Sequence, residues 1–289
     1  MCCFWTTYDD GGVQPYTAPG DPAQFATADV VQRAVKMIKK TLKIIGHRGL
    51  PATYPENTLI SFERAIAAGV DAIEFDVHRT ADDRLVVTHD DTVERCSDGH
   101  GAVRAQTLAE LRQLDFGGWK APEFAGTRLP TLEETLDCLG AAPTLEILIE
   151  LKENDEACTE LLARELKCRR LVDRCAVLSF YANQLATMHE LLPAVRLQGF
   201  RLHDFAVPVP NAYELITRLC IWLDQLDMAE IDRFHARGIQ VDTCPVDTPA
   251  ALAKALAFPV DTITTNAADV ILNELVRRNS APAEIFEVV

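Results

Sequence analysis

Short apolar runs rich in valine, isoleucine and leucine recur along this chain, separated by segments of helical spacing. The runs are TLKIIG, DAIEFDV, RLVVTH, LEILIEL, RCAVLSF, VRLQGF, GIQVDT and VDTITT. Between them, TLISFERAIAAG, TLEETLDCLG, ACTELLARELKCRR, YANQLATMHELL, MAEIDRFHARG and TPAALAKALA repeat apolar residues three and four apart. Strand alternating with helix over this length predicts a parallel sheet with crossovers. Eight strand candidates predict an α/β fold, a (β/α)8 TIM barrel rather than an open sheet. The stretch LCIWLDQ is left over, as a ninth strand or as part of the sixth unit.

Chain punctuation agrees with that division. Gly69 and Gly238 each close a helical segment just before a strand, where a left-handed cap favours glycine. Thr131 and Glu134 have capping-box spacing at the start of LEETL. Residues 1–27, rich in Gly, Pro, Thr and Asp, read as irregular. Residues 28–40 read as a helix with Val31, Val35 and Ile38 on one stripe, covering the bottom of the barrel. The expected organisation is therefore an N-terminal extension and helix over 1–40, and the barrel over 41–289. A small insertion over about 90–130 follows strand three. It exceeds an ordinary loop, and its Phe116 and Trp119 either shape a pocket or pack the insertion's own core.

Polar residues break the apolar pattern at one level. In such barrels the C-terminal strand ends converge on a single mouth. His47 and Arg48 end strand one, Glu74 and Asp76 strand two, His89 strand three, and Glu150 and Lys152 strand four. Residues two apart share a strand face, so Glu74 and Asp76 point together, as do Glu150 and Lys152. Any single carboxylate at a strand end reads as a loop cap, and His47 alone as a core histidine; four strands agreeing read as a site. Three converging carboxylates repel one another unless a cation joins them. An all-oxygen set favours one hard divalent cation, Mg²⁺ or Ca²⁺, over zinc.

Composition narrows the partners. The 289 residues carry a net charge of −15, which argues against nucleic acid or an anionic membrane surface. An acidic protein acting on an anion needs a local basic pocket or a cation, and the strand ends offer both. Nine cysteines without CxxC spacing read as free thiols in a reducing compartment, so a cytoplasmic location is expected. Cys2 and Cys3 read as an exposed N-terminal pair rather than lipidation sites. The N-terminal stretch lacks the pattern of a secretory signal. No uncharged apolar run reaches the ~18 residues of a membrane span, so no integral membrane association is expected. Nothing in the sequence bears on oligomeric state.

At this point the chain resembles a family. GHRG, then PENTLISFERAIAAGVDAIEFDVHRTADDRLVVTHDDT, and later LDFGGW, GTRLPTLEETL, LIELK and VLSF are similar, in order, to the glycerophosphodiester phosphodiesterases. The likeness spans roughly residues 44–271 and is strongest to residue 152. It implies that Glu74, Asp76 and Glu150 are metal ligands, that His47 and His89 are a catalytic acid/base pair, and that Arg48 and Lys152 are phosphate-side cations. The implied substrate is a small glycerophosphodiester. The implied route has one histidine activating the glycerol hydroxyl beside the phosphate while the other protonates the leaving alcohol. A cyclic phosphate is then hydrolysed to glycerol 3-phosphate; direct attack by water stays open. Two other readings stand beside it: phospholipase D-like action on lysophospholipids, and a non-catalytic phosphoester-binding barrel.

Smaller features remain. Within PENT, Thr58 is the expected helix cap, while Glu56 or Asn57 stands near the metal or substrate region. The chain departs from the family at VDTCPVD, residues 241–247, where Asp242 or Cys244 replaces an expected aromatic. TTN replaces Thr-Asp after strand eight, and Trp222 offers a substitute aromatic wall. Cys96 and His100 receive no role, and His78, His189, His203 and His235 read as surface or structural.

Overall fold

The computed structural model describes residues 42–280. The expected helix over 28–40 lies outside them. Nine strands form one sheet: β1 (Lys43–His47), β2 (Ala72–Arg79), β3 (Leu85–Val87), β4 (Glu146–Leu151), β5 (Cys175–Leu178), β6 (Arg196–Gly199), β7 (Arg218–Trp222), β8 (Gln240–Cys244) and β9 (Thr262–Thr265). Eight are parallel, and β1 pairs with both β2 and β9, which closes the barrel.

The barrel is the expected one, but one stave differs. RLVVTH contributes β3, which lies antiparallel to the far end of β2, with Val77 opposite Val87 and Arg79 opposite Leu85. Only the turn at 80–84 separates the two strands, with Asp83 in the left-handed region (φ 58°) and the Thr80 amide donating to the Arg84 carbonyl. A parallel return needs a crossover of a dozen or more residues, so this short link dictates a hairpin. The missing stave is RLCIW, β7, between β6 and β8. Its crossover holds only a short helix, Ala212–Leu215, so the chain shows little helical spacing there.

Outward-facing residues of the staves pack under the flanking helices. Phe75 meets Phe62 of the helix Leu59–Ala68 with ring centroids 5.8 Å apart, and both are fully buried. That helix starts at Thr58, whose hydroxyl accepts from the Ser61 amide, and stops at Gly69 in the left-handed conformation (φ 92°). The helix Leu132–Gly140 carries the expected capping box of Thr131 and Glu134. The insertion has its own core of Val86, Val93, Cys96, Val103, Leu111, Phe116 and Leu129. Phe116 is therefore buried inside the insertion and does not line a pocket.

Inward-facing residues form polar layers. At the bottom of the barrel Glu146 meets Lys43 at 3.1 Å, Arg196 at 3.1 Å and the buried Arg218. Despite its burial, which opposes ionisation, the charges of Arg218, Arg196 and Lys43 hold the Glu146 carboxyl down at about 2. The opposite end is the mouth. Among the described residues no helix is long and apolar enough to cross a membrane.

Candidate active site

The turn after β1 places the first two polar side chains. Arg48 has φ 53° and Gly49 φ 91°, so the chain reverses sharply as it leaves the strand. A Cβ on Gly49 would stand 2.4 Å from Ser61 Oγ, and one on Gly46 would stand 2.6 Å from the Gly49 carbonyl oxygen. Only glycine fits at both places. Ser61 holds the turn from the helix side: its hydroxyl donates to the Arg48 carbonyl and accepts from the Leu50 amide.

The turn lets Arg48 reach three carboxylates. Its amide donates to Glu74 Oε2 at 3.1 Å, its Nη1 to Glu56 Oε1 at 2.9 Å, and its Nε lies 3.2 Å from Asp76 Oδ2. Lys152 approaches from β4, donating to Glu150 Oε1 at 2.8 Å with Asp76 Oδ1 at 3.5 Å. Glu74, Asp76 and Glu150 are all buried, and each presents an oxygen within 4.8 Å of the others. These three meet as the strand periodicity predicts, with Arg48 and Lys152 beside them.

Their electrostatics are unbalanced. Burial, then the neighbouring Asp76 and Glu150, pushes the Glu74 carboxyl well above the ordinary range. Burial acts the same way on Asp76, but Lys152 and Arg48 outweigh it and hold Asp76 far below that range. Glu74 Oε1 and Asp76 Oδ1 are buried without a hydrogen-bond partner. Buried acceptors left unpaired are costly. A hard divalent cation between them would satisfy both oxygens and remove the repulsion, so this donor set fits one.

The two histidines flank this cluster differently. His47 ends β1, and its Nε2 lies 3.9 Å from Glu74 Oε2. Its Nδ1 donates to Asn266 Oδ1 at 2.7 Å. Asn266 is oriented in turn by Asp247, which accepts from its backbone amide at 2.7 Å and its side-chain amide at 2.8 Å. Burial at the mouth, followed by the charge of Arg48, lowers the His47 pKa to about 4, so the ring is neutral near pH 7 with Nε2 unprotonated. His89 arrives from the hairpin rather than from the end of a barrel stave, a correction to its expected origin. The Thr88 amide donates to the Asp76 carbonyl, which keeps this segment beside β2.

His89 Nδ1 donates to Asp90 Oδ1 at 2.6 Å. Arg95 then bridges Asp90 and Glu56, with Nε to Asp90 Oδ2 at 2.6 Å and both Nη atoms to Glu56 at 2.8 and 2.9 Å. Burial raises the Glu56 carboxyl, but hydrogen bonds from Arg95 and the Arg48 charge bring it down to about 2. A continuous chain therefore runs His89–Asp90–Arg95–Glu56–Arg48. His78, expected to be surface or structural, is buried: Nε2 donates to the His89 carbonyl and Nδ1 faces Glu153 Oε1 at 2.8 Å.

The open choice within PENT resolves in favour of both residues. Asn57, in the left-handed region, donates through Nδ2 to Asp76 Oδ2 at 2.8 Å, while Glu56 holds Arg48. Asp90 and Arg95 were not singled out in the sequence, while Asn266 ends TTN and Asp247 ends VDTCPVD, two departures in which neither residue carried an expected role. Asp90 had a signal, since it follows His89 directly; the others meet their partners only through the fold.

Three aromatic rings stand at the ends of β5, β6 and β7. Phe180 stacks on Phe200 with centroids 3.8 Å apart, and Phe200 faces Trp222 at 6.4 Å. Trp222 thus joins an aromatic cluster with Phe200 and Phe180. Trp119 is 39% exposed, with its indole donating to the Phe116 carbonyl. The adjacent Lys120 ties the insertion to the carbonyls of Pro51 and Ala52 beyond the β1 turn.

Residues 47–270 match the model of the glycerophosphoryl diester phosphodiesterase family. A glycerophosphodiester phosphodiesterase of Caldanaerobacter subterraneus subsp. tengcongensis is 30% identical over 260 residues, covering 83% of this chain and 99% of that protein. The structure of a glycerophosphodiester phosphodiesterase from Agrobacterium tumefaciens C58 superposes with a TM-score of 0.71 at 27% identity, covering 80% of this chain and 99% of the other. A phosphodiesterase from Oleispira antarctica, solved with the product sn-glycerol-3-phosphate, gives a TM-score of 0.73 at 25% identity over 84% of this chain and 98% of its own.

Proposed function

This chain belongs to the glycerophosphoryl diester phosphodiesterase family, and from that premise we propose that it hydrolyses small glycerophosphodiesters to glycerol 3-phosphate and an alcohol. The observation that carries the reading is the buried triad of Glu74, Asp76 and Glu150, with two oxygens that receive no hydrogen bond, flanked by two histidines in different environments. Glu74, Asp76 and Glu150 would hold one divalent cation, Mg²⁺ or Ca²⁺, which supplies positive charge to the phosphate oxygens as negative charge develops there.

The chain's own residues do the rest. Arg48 and Lys152 border the carboxylates and orient the phosphate, adding charge stabilisation that is already in place before reaction. His47, its Nδ1–H fixed on a neutral amide, offers the Nε2 lone pair as the base that takes the proton of the glycerol hydroxyl. His89, its Nδ1–H held by the Asp90 carboxylate, stands across the cluster as the acid that protonates the leaving alcohol. The neighbouring hydroxyl gains a large proximity advantage from being part of the substrate. The seven described cysteines are all free, which supports a cytoplasmic setting.

The test is glycerol 3-phosphate release from glycerophosphocholine and glycerophosphoethanolamine, with EDTA and then with Mg²⁺ or Ca²⁺ restored. Release that stops with chelation and returns with either ion is expected. Release indifferent to prolonged chelation would remove the cation from the account.

A further inference from the structure

The departure at residues 241–247 brings two thiols together inside the barrel. Cys220 of β7 stands opposite Asp242, and Trp222 opposite Cys244 of β8, so the two cysteines are diagonal neighbours on adjacent staves. Both share the inward face, Cys220 with Arg218, which reaches Glu146, and Cys244 with Asp242, which binds Thr262 and Thr264. Their Sγ atoms lie 3.3 Å apart. Cys220 is buried, and Cys244, nearer the mouth, is half-buried. Among the described residues no other two cysteines touch.

We propose that Cys220 and Cys244 are a site of reversible oxidation, forming a disulfide inside the barrel when a hydroperoxide reaches the mouth, and that the linked form turns over more slowly. The chemistry balances in two steps. The Cys244 sulfur attacks one oxygen of the hydroperoxide, breaking the O–O bond, releasing water or an alcohol, and leaving a sulfenic acid. The Cys220 sulfur then displaces the hydroxyl as water and forms the S–S bond. Two thiols lose two electrons and two protons, and the hydroperoxide gains them.

A disulfide is about 2.05 Å long, so sulfurs at 3.3 Å must close by about 1.2 Å. The strands carrying them are held by their own ladder, so the bond forms only as the ends of β7 and β8 shift toward each other. Its effect reaches the site along a short path. Three residues beyond Cys244, Asp247 holds Asn266, which orients His47. Drawing the end of β8 toward β7 moves that support.

The slower turnover rests on the proposed function; the bond itself does not. Full-length protein is treated with hydrogen peroxide, its free thiols are alkylated, and it is digested without reductant. A Cys220–Cys244 linked peptide is expected, together with a severalfold loss of glycerophosphodiester turnover that dithiothreitol restores. Cys220→Ala and Cys220→Ser are expected to turn over normally and to resist peroxide. Oxidation of the exposed Cys168 with no linked peptide would overturn the proposal. So would a linked peptide with unchanged turnover, or an equal loss in the Cys220 variants. Should the reduced protein release no glycerol 3-phosphate at all, the functional reading fails, while the linked peptide still decides the oxidation site.

Discussion

The side-chain amide of Asn266 is gripped by Asp247 from one side and faces His47 on the other, so its carbonyl oxygen cannot turn away. That fixes the His47 tautomer without adding a negative charge that would favour the imidazolium. Replacing Asn266 by alanine should free the ring and lower kcat by about 10- to 100-fold, the usual cost of losing a partner that orients a functional side chain. KM should stay near the wild-type value. Steady-state kinetics decide it: a raised KM with intact kcat would place Asn266 in substrate binding instead. Such partnerships explain what the sequence could and could not show. His47, Arg48, Glu74, Asp76, Glu150 and Lys152 were legible because strand ends and a two-residue period place them without knowledge of the rest of the fold. Asn266 stood out only as the changed residue of TTN, and its role was not legible, because it meets His47 across 219 residues of chain and only barrel closure brings them together.

The hairpin between β2 and β3 works as a delivery element. It carries His89 to the site, and Arg95 of the insertion then joins Asp90 to Glu56 and so to Arg48. Arg95 thus links the His89 side of the mouth to the Arg48 side. Arg95→Ala should leave Glu56 and Asp90 each short of a cation and lower turnover by at least about tenfold, while Arg95→Lys, lacking the planar fork, restores only part of it. Turnover equal to wild type in a folded Arg95→Ala protein would show that the chain of ion pairs is structural only. Here the sequence misled in one respect. RLVVTH looked like a stave because its composition is that of a buried strand, and five residues of turn, too few for a crossover, were the signal that it was not. LCIW stays open between a ninth strand and part of the sixth unit in the sequence because its crossover holds only a short helix, and it is one of the nine strands of the sheet.

At the scale of the whole molecule the barrel separates two kinds of charge. The bottom is neutralised by the protein itself, with Glu146 among Lys43, Arg196 and Arg218. The folded-state carboxyl sits at about 2 against an ordinary 4.5, so its contribution is fully present above about 4.5 and disappears as pH falls through about 2. That difference corresponds to about 3 kcal/mol. Glu146→Gln should therefore cost stability of that order near neutrality, with the gap from wild type closing as the pH is lowered through that window. Denaturant unfolding across the pH range measures it, and a gap independent of pH would contradict the assignment.

The mouth is not neutralised by the protein. Its three carboxylates face two cations, Arg48 and Lys152, and leave two buried oxygens without a hydrogen bond. A divalent ion at that triad is the central claim, and calorimetric titration of Mg²⁺ or Ca²⁺ into metal-stripped protein tests it most directly. One ion per chain is expected to bind, with affinity weakened by at least about tenfold in Glu150→Gln, since removing a ligand should cost no less than removing a ligand's support. Equal binding by wild type and Glu150→Gln, or no binding of either ion to folded wild type, would contradict the account.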